Sequence, residues 1–213
     1  MTDKKNNYWK KFYNSLNLSS EKRMPPSQFA AFCVTELKNL NINQLIELGS
    51  GDGRDSIFFA EEGLNVYASD KNSTAINLLK KKTSHLKNIT VKKIDVTKVS
   101  FQKTKIISTP CAYYARFLLH TLEINQLKRF FNNLAKVMKK SDYFFTEFRN
   151  EKDKNRKKVT PKHFRKFYSS HYVSSIAYKN NLSCIYQVEG IGFAKWKDDD
   201  AFVSRQIYIK YTD

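Results

Sequence analysis

Short apolar runs alternate with amphipathic segments between residues 28 and 148. The runs that predict β-strands span residues 44–48, 64–69, 88–94, 111–117 and 141–148. The segments that predict helices span residues 28–40, 54–62, 73–82 and 122–139. Strands and helices that alternate in this way form parallel strands joined by right-handed crossovers. The pattern therefore predicts an α/β fold with a Rossmann-like open twisted sheet and helices on both faces.

The fourth strand has two candidate positions. Residues 105–108 and 111–117 are both apolar, and Pro110 separates them. The later segment is favoured because it brings Arg116 and His120 to the end of a strand, where open α/β sheets bind their ligands.

The alternation stops after the fifth strand. Residues 150–158 are charged and almost free of apolar side chains, which predicts an exposed loop. Residues 161–168 predict a short basic helix, and residues 174–179 predict the remnant of another. Two closing strands, 183–188 and 202–210, are close enough in sequence to pair antiparallel. The complete prediction is a sheet of about seven strands, mostly parallel, with an antiparallel C-terminal edge.

The charge balance leaves two interpretations of the surface open. The 213 residues carry 38 Lys and Arg against 20 Asp and Glu, which gives a formal net charge of +18. Such an excess favours a polyanionic partner such as nucleic acid. A nucleotide-biased genome that enriches lysine and asparagine produces the same excess without any such partner. Net charge alone therefore does not decide between the two.

Cysteine usage and the N-terminal residues bear on the compartment. Cys33, Cys111 and Cys184 are too widely spaced for a disulfide framework or a C-x-x-C metal site. Residues 1–11 lack the apolar region of a signal peptide, and no run approaches the roughly 20 apolar residues of a membrane span. We expect a cytoplasmic protein with no membrane span and no bound metal, in which the aspartates at 198–200 belong to a solvated loop.

The strongest local signal is a glycine-rich turn between the first strand and the next helix. Gly49, Gly51 and Gly53 occupy alternate positions, which allows a tight turn and lets the backbone approach a ligand closely. The spacing G-x-G-x-G differs from the dinucleotide fingerprint G-x-G-x-x-G and lacks the Gly-Lys-Ser/Thr of a P-loop. Phosphate binding is therefore not the first interpretation.

Two aspartates follow at the ends of the next two strands. Asp70 lies about 20 residues beyond the glycines, at a position where a carboxylate accepts hydrogen bonds from ribose hydroxyls. Asp95 repeats this arrangement one strand later. Because the carboxyl ends of parallel strands share one edge of the sheet, the turn and both aspartates line one crevice. The sequence predicts a nucleoside-binding pocket without a phosphate-binding motif.

These motifs resemble those of class I S-adenosylmethionine-dependent methyltransferases. The resemblance rests on IELGSGDG at 46–53, on Asp70 and on IDV at 94–96, and it spans about residues 44–149. It implies S-adenosylmethionine as the cofactor. It also implies the cofactor contacts, with the methionine part at Gly49, Gly51 and Gly53, the ammonium at Glu47, the ribose at Asp70, and the adenine at Asp95 and Val96.

Other motifs are similar to a bacterial subgroup associated with surface-polysaccharide biosynthesis. The segments that carry this similarity are YW-x-x-FY at 8–13, PS-x-FA at 26–30, YARF-x-LH at 114–120, EFR at 147–149, GFA at 192–194 and Arg205. This resemblance implies methylation of a sugar hydroxyl or phosphate in a glycan or glycan precursor.

The resemblance divides one methyltransferase domain, residues 1–213, into four parts. Residues 1–42 are expected to form an N-terminal helical lid and the first helix, and residues 43–148 the cofactor-binding core. Residues 149–180 are expected to form a substrate-side insertion, and residues 181–213 the C-terminal strand pair.

The candidate catalytic residues lie near the ends of the fourth and fifth strands. His120 has the ordinary pKa of a general base, although it is equally expected to pack beneath Leu118 and Leu122. Arg116 and Arg149 are predicted to converge on an anionic acceptor through bidentate contacts. The alternative for these arginines is an ion pair, with Glu147 or Glu123.

Further residues are candidates for binding the acceptor. His163 and Arg165 are expected to close over the substrate, unless they belong to a solvated face. Tyr8 and Tyr13, together with Trp9, are predicted to form a lid, unless they pack against the core.

An RNA methyltransferase is the alternative function. The net charge favours it, but the N/D-P-P-Y/F motif for an amine acceptor is missing after the fourth strand.

Overall fold

The computed structural model describes residues 2–15, 24–98, 110–160 and 163–212 of the chain. Its α-helices are α1 (Thr2–Ser15), α2 (Gln28–Asn39), α3 (Arg54–Glu61), α4 (Ser73–Lys82), α5 (Ile124–Val137) and α6 (Ser170–Tyr178). Its strands are β1 (Gln44–Leu48), β2 (Asn65–Asp70), β3 (Ile89–Lys93), β4 (Ala112–Arg116), β5 (Tyr143–Arg149), β6 (Leu182–Gly190), β7 (Lys195–Trp196), β8 (Asp199–Asp200) and β9 (Val203–Lys210). None of the helices in these ranges combines the length and the apolar character that crossing a bilayer requires.

Seven of the described strands form one sheet in the order β3-β2-β1-β4-β5-β9-β6. β1 pairs in parallel with β2 and β4, β2 pairs with β3, and β4 pairs with β5. β9 lies between β5 and β6 and runs antiparallel to both. The predicted mostly parallel sheet with an antiparallel C-terminal edge is confirmed. β7 and β8 form a separate small hairpin, which the sequence pattern does not predict.

The order of the strands opens a crevice beside β1. From β1 the chain moves outward through β2 to β3, and it then returns to the other side of β1 to form β4. The connections after β1 and β4 therefore leave in opposite directions, and a crevice opens at the carboxyl ends of these strands. Because open α/β sheets bind their ligands in this crevice, the segments that follow β1 to β4 carry the candidate chemistry.

Side chains that alternate along the strands divide the core into two layers. Tyr114 in β4 and Phe145 in β5 pack into the layer that includes α2 and α3. Their neighbours Tyr113 and Phe144 pack into the layer that includes α5 and α6. All four side chains are fully buried, and each contributes about 1.5–3 kcal/mol. A central strand covered on both faces needs apolar residues at every position, so the predicted helices on both faces are confirmed.

A buried carboxylate connects α2, α3 and β4. Ser27 caps α2 as its position predicts, because its hydroxyl accepts a hydrogen bond from the amide of Ala30 at 3.0 Å. Ser27 also donates through its amide and its hydroxyl to the two oxygens of Asp55 in α3, at 2.9 and 2.8 Å. The hydroxyl of Tyr114 donates to the same carboxylate at 2.8 Å. These bonds fix the start of α3 against the sheet.

The region after β5 differs from its prediction. Residues 163–168 are not helical, because the amide of Lys166 donates to the carbonyl oxygen of His120 at 2.7 Å instead of closing a helical turn. The helix predicted over 161–168 is therefore wrong for the part that the structure describes. The helix after it begins earlier than predicted, since Ser169 caps α6 by accepting from the amide of Tyr172. The alternative fourth strand at 105–108 lies outside the described residues.

Candidate active site

The glycine-rich turn joins β1 to α3. Gly49, Gly51 and Gly53 adopt φ angles of 81°, 56° and 88°, which side chains of L-residues rarely adopt. Space also excludes a side chain at Gly53, because a Cβ atom there would lie 2.0 Å from Cδ1 of Leu79. The amide of Gly49 donates to the carbonyl oxygen of Ser69 at 2.8 Å. The turn is therefore fastened to the end of β2.

Asp70, the last residue of β2, lies against this turn. Its Oδ2 accepts a hydrogen bond from the amide of Gly51 at 3.1 Å, and its Oδ1 accepts one from the amide of Asn72 at 2.7 Å. Burial raises the pKa of the Asp70 carboxyl, and these amide donors oppose the shift. The amide of Ile94 donates to the carbonyl oxygen of Asp70 at 3.0 Å. The turn, Asp70 and the segment that leads to Asp95 therefore meet at one edge of the sheet.

The loop after β3 is anchored to α5. Asp95 accepts hydrogen bonds from the amide and the hydroxyl of Thr97, at 3.0 and 2.7 Å. Val96 is buried, and its carbonyl oxygen accepts a hydrogen bond from the Asn133 side chain at 3.2 Å. These contacts hold Asp95 at the sheet edge next to the end of β2.

Glu47 is buried in β1 just before the glycine-rich turn. Its Oε2 accepts a hydrogen bond from the hydroxyl of Ser56, and only 4% of the residue is exposed. Burial, followed by the negative charge of Asp55, raises the pKa of Glu47 to about 8, although the Ser56 hydrogen bond lowers it. Glu47 therefore holds a proton at neutral pH, and a cation bound beside it would favour release of that proton.

The helix α1 lies across the crevice. The hydroxyl of Tyr13 lies against the glycine-rich turn, so close that a Cβ atom on Gly51 would come within 2.7 Å of it. The ring of Trp9 stacks on Tyr13 at 5.9 Å and also meets the ring of His163 at 4.9 Å. Tyr8 meets His163 at 5.1 Å. α1 therefore touches both the turn and the segment before α6, with Tyr13 on the side of the turn and Tyr8 on the other.

His163 and Arg165 each retain an unused polar atom in this crevice. Nδ1 of His163 and Nε of Arg165 are buried without a hydrogen-bond partner among the described residues. Burial and the positive charges of Arg165 and Arg149 lower the pKa of His163 to about 3, so the ring is neutral at physiological pH. Arg165 donates to the carbonyl and the hydroxyl oxygen of Thr160, at 2.7 and 2.8 Å. Each residue therefore has one buried polar atom that is unsatisfied among the described residues.

Arg149 holds structural ion pairs. Its terminal nitrogens donate to Asp153 at 2.8 Å and to Asp199 at 2.6 Å, and its side chain is 6% exposed. Neither Glu147 nor Glu123 is its partner, which corrects the predicted pairing. Asp199 is buried, so the expectation that residues 198–200 form a solvated loop is wrong for this aspartate. Arg149 connects the end of β5 to the β7–β8 hairpin, a contact that reasoning from the sequence missed.

Arg116 keeps its terminal nitrogens available. Its Nε donates to Oε1 of Glu147 at 2.8 Å, the pairing that the sequence offers as the alternative. The other oxygen of Glu147 accepts from Nε of Arg205 at 2.8 Å, so this fully buried carboxylate lies between two arginines. The two terminal nitrogens of Arg116 make no hydrogen bond to the described residues, and 17% of its side chain is exposed. Arg116 is therefore better placed than Arg149 to hold an anion.

The geometry of His120 is unfavourable to its predicted role as a base. His120 is buried, and its Nδ1 accepts a hydrogen bond from the amide of Arg149 at 3.2 Å. The neutral ring therefore carries its proton on Nε2, and a second proton would have to enter at Nδ1, which faces an N–H donor. Burial and the charge of Arg149 also lower the pKa of His120 well below its usual value. The packed alternative agrees better with these contacts.

Metal ligands do not cluster in this crevice. In the ranges that the structure describes, no three His, Cys, Asp or Glu side chains come together in a way that could hold a metal ion.

Solved structures share this fold at low sequence identity. A methyltransferase described as S-adenosylmethionine-dependent, from Anabaena variabilis, superposes with a TM-score of 0.72 at 15% identity, over 96% of this chain and 94% of that one. TehB from Haemophilus influenzae superposes with a TM-score of 0.65 at 16% identity, over 97% of this chain and 67% of that one. A third structure is the 1,6-didemethyltoxoflavin-N1-methyltransferase of Burkholderia thailandensis, solved with S-adenosylhomocysteine. It superposes with a TM-score of 0.68 at 10% identity, over 100% of this chain and 88% of that one. No curated protein sequence matches the chain significantly.

A family model matches the chain at the level of sequence. The model described as "Tellurite resistance protein TehB" covers residues 1–146, which is more than half of the 213 residues. This stretch includes α1, the glycine-rich turn, Asp70, Asp95 and β4. The chain therefore belongs to the TehB family and has the fold of S-adenosylmethionine-dependent methyltransferases.

Proposed function

We propose that this chain uses S-adenosylmethionine to methylate a small anionic acceptor, a phosphate or hydroxyl oxygen of a glycan precursor. The observation that carries the proposal is the unused hydrogen-bonding capacity of Arg116, His163 and Arg165 beside the glycine-rich turn. Arg116 and Arg165 would give the acceptor site a positive charge, whereas Asp70 and Asp95 would give the cofactor site a negative charge.

The residues around the turn fit the proposed cofactor. S-adenosylmethionine supplies a methyl group already activated by a positively charged sulfur. Asp70 presents a carboxylate that would accept hydrogen bonds from the ribose, and Asp95 and Val96 lie where the adenine would bind. Gly49, Gly51 and Gly53 leave space for the methionine part. Buried Glu47 would ionise beside the ammonium, since a nearby cation lowers the pKa of a carboxyl.

The acceptor decides whether a base is needed. A phosphate oxygen is already anionic, so Arg116 and Arg165 would bind and orient it without removing a proton. A hydroxyl acceptor would lose its proton to a base. Neither His163 nor His120 suits that task, because burial lowers the pKa of His163 to about 3 and that of His120 well below its usual value. A phosphate acceptor is therefore favoured.

The family gives a second candidate acceptor. The description of the TehB family names tellurite resistance, and tellurite is a small oxyanion that the same arginine-rich site would hold. A small acceptor of either kind agrees with the way α1 covers the crevice, through Trp9 on His163 and Tyr13 on the turn. We further propose that residues 1–42 form the lid and the first helix, and that residues 149–180 form the acceptor side.

A screen for methylated products tests the proposal. Purified protein is incubated with methyl-labelled S-adenosylmethionine and, in separate reactions, sugar phosphates, nucleotide sugars, tellurite and RNA. We expect transfer to a phosphorylated sugar, which Arg116→Ala abolishes while the affinity for S-adenosylhomocysteine is retained. Transfer to tellurite alone would select the second candidate. Transfer to RNA alone, unaffected by Arg116→Ala, would contradict the proposal and support an RNA methyltransferase.

A further inference from the structure

Phe117 follows β4 in a backbone conformation that is rare for an aromatic residue. Its φ angle is 55°, and bulky side chains keep left-handed conformations only where the surrounding structure enforces them. The amide of Phe117 donates to the carbonyl oxygen of Glu147 at 2.8 Å, which continues the pairing of β4 with β5. Strained backbone that is enforced in this way is concentrated at functional sites.

The ring of Phe117 contacts two guanidinium groups. Its centroid lies 4.2 Å from Cζ of Arg116 and 5.5 Å from Cζ of Arg149, both within the range of a cation–π interaction. Its edge meets the ring of His120 at 5.3 Å. The ring also packs against a small apolar cluster made of Ala194, Ala201 and Val203. These contacts fix the ring at the centre of the cationic part of the crevice.

Arg116 is consequently restrained by two different contacts. The hydrogen bond from its Nε to Glu147 fixes one end of the guanidinium plane. The ring of Phe117 covers the guanidinium and opposes rotation about the remaining bonds. Since Glu147 is itself held by Arg205, its carboxylate cannot follow a displaced Arg116. The orientation of the terminal nitrogens of Arg116 therefore depends on the Phe117 ring.

We propose that Phe117 is a positioning residue for methyl transfer, whose ring holds the terminal nitrogens of Arg116 toward the acceptor. This inference rests on the proposed function, because it assigns the acceptor to Arg116. This role accounts for the strained backbone conformation of Phe117. With this backbone geometry the ring lies on Arg116 while the amide of Phe117 still pairs with β5. A leucine at this position would keep much of the volume but provide no aromatic face.

Nuclear magnetic resonance of the arginine Nε–H groups tests the positioning directly. The Arg116 signal is assigned by its absence in Arg116→Lys. The ring current of Phe117 shifts this signal, and the hydrogen bond to Glu147 slows its exchange with water. We expect Phe117→Leu to shift the signal and accelerate exchange by about tenfold, while Phe117→Tyr restores both. Phe202→Leu, which removes a ring over Lys152 instead, is the matched control and should leave the signal unchanged.

Binding of inorganic phosphate to protein loaded with S-adenosylhomocysteine tests the link to the acceptor. We expect Phe117→Leu to weaken phosphate binding by about tenfold, and Phe117→Tyr to bind like the wild type. The affinity for S-adenosylhomocysteine should not change in either variant. If Phe117→Leu does not fold, Phe117→Asn replaces it, because asparagine tolerates a positive φ.

Two results would overturn the inference. One is an exchange rate of the Arg116 Nε–H that is identical in the wild type and in folded Phe117→Leu, and the other is equal phosphate affinity in the two proteins. If the wild type binds no phosphate at all, the proposed anionic acceptor fails. The resonance of Arg116 still decides the role of Phe117 in that case.

Discussion

The two ends of the crevice are built in opposite ways. The proposed cofactor end, made of Glu47, the turn at 49–53, Asp70 and Asp95, carries the carboxyl groups and is held by backbone amides that donate to backbone carbonyls and to the Asp70 carboxylate. The proposed acceptor end, made of Arg116, Arg149, His163 and Arg165, carries three arginines and is held by side chains from distant parts of the chain. A cationic cofactor and an anionic acceptor would each meet the opposite charge.

This difference determines which amino-acid substitutions each end of the crevice tolerates. The turn keeps backbone hydrogen bonds from Gly49 and Ser50 to the carbonyl oxygen of Ser69 when one side chain changes, so substitutions at the cofactor end should alter binding more than folding. At the acceptor end, buried charges neutralise one another, and removing one leaves its partner unpaired in a low-dielectric environment. Substitutions there should separate into those that unfold the protein and those that only weaken acceptor binding.

The largest effect is expected from Arg149→Met. It leaves Asp199 buried without an ion-pair partner among the described residues and Asp153 with Lys158 alone, so the free energy of unfolding should fall by about 3–5 kcal/mol. Arg116→Met is the matched control, because Glu147 keeps Arg205 as a partner and the loss should be near 1 kcal/mol. Urea denaturation measures both. Equal losses in the two variants would show that the two arginines do not have different roles.

The next largest effect is expected from Asp70→Ala. Loss of two charge-assisted hydrogen bonds to a ribose removes about 3 kcal/mol of binding free energy, or about a hundredfold in affinity. Calorimetric titration with S-adenosylhomocysteine measures this change, and the fold should survive. The control is Asp52→Ala, a neighbouring carboxylate paired with Lys82 at the surface, which should bind almost normally. Similar losses of affinity in both variants would show that Asp70 has no specific role in binding the cofactor.

Glu47 should make stability depend on pH. Folding raises its pKa from 4.5 to about 8, so between these values the folded chain holds a proton that the unfolded chain has released. Its contribution therefore lowers stability as pH rises through this range, by up to about 1.4 kcal/mol per pH unit. Glu47→Gln should flatten the decline when the free energy of unfolding is measured across the range. An unchanged slope would show that Glu47 ionises normally.

The smallest effect is expected from Tyr13→Phe. The hydroxyl of Tyr13 lies on the glycine-rich turn, so its removal should weaken binding of S-adenosylhomocysteine by about 0.5–1.5 kcal/mol. Tyr8→Phe, on the other side of α1 against His163, should not change this affinity. A weaker affinity in Tyr8→Phe alone would reverse the assignment of the two tyrosines.

The meeting of the glycine-rich turn with Asp70 and the segment that leads to Asp95 was predictable from sequence, because each follows the carboxyl end of a parallel strand. The positive φ angles of the turn are encoded by Gly49, Gly51 and Gly53 themselves, and the position of Asp70 follows from the length of one strand–helix unit. The parallel direction of the first five strands was predictable because α3, α4 and α5 lie between successive strands in the chain.

The acceptor end was not predictable to the same degree. One of the two partners of Arg149 is Asp199, 50 residues away, on a hairpin too short to produce an apolar pattern. His120 has the sequence position of a base, but a backbone amide from β5 occupies its Nδ1. Residues 163–168 have a helical composition, yet their hydrogen bonds go to other parts of the chain. Tertiary contacts decide all three outcomes.

A crystal structure of the protein with S-adenosylhomocysteine tests the central claim most directly. We expect the ribose hydroxyls on the carboxylate of Asp70, the adenine beside Asp95 and Val96, and the amino-acid part along the glycine-rich turn near Glu47. A ligand bound at another place on the molecule, or none in crystals of folded protein soaked at saturating concentration, would contradict the account.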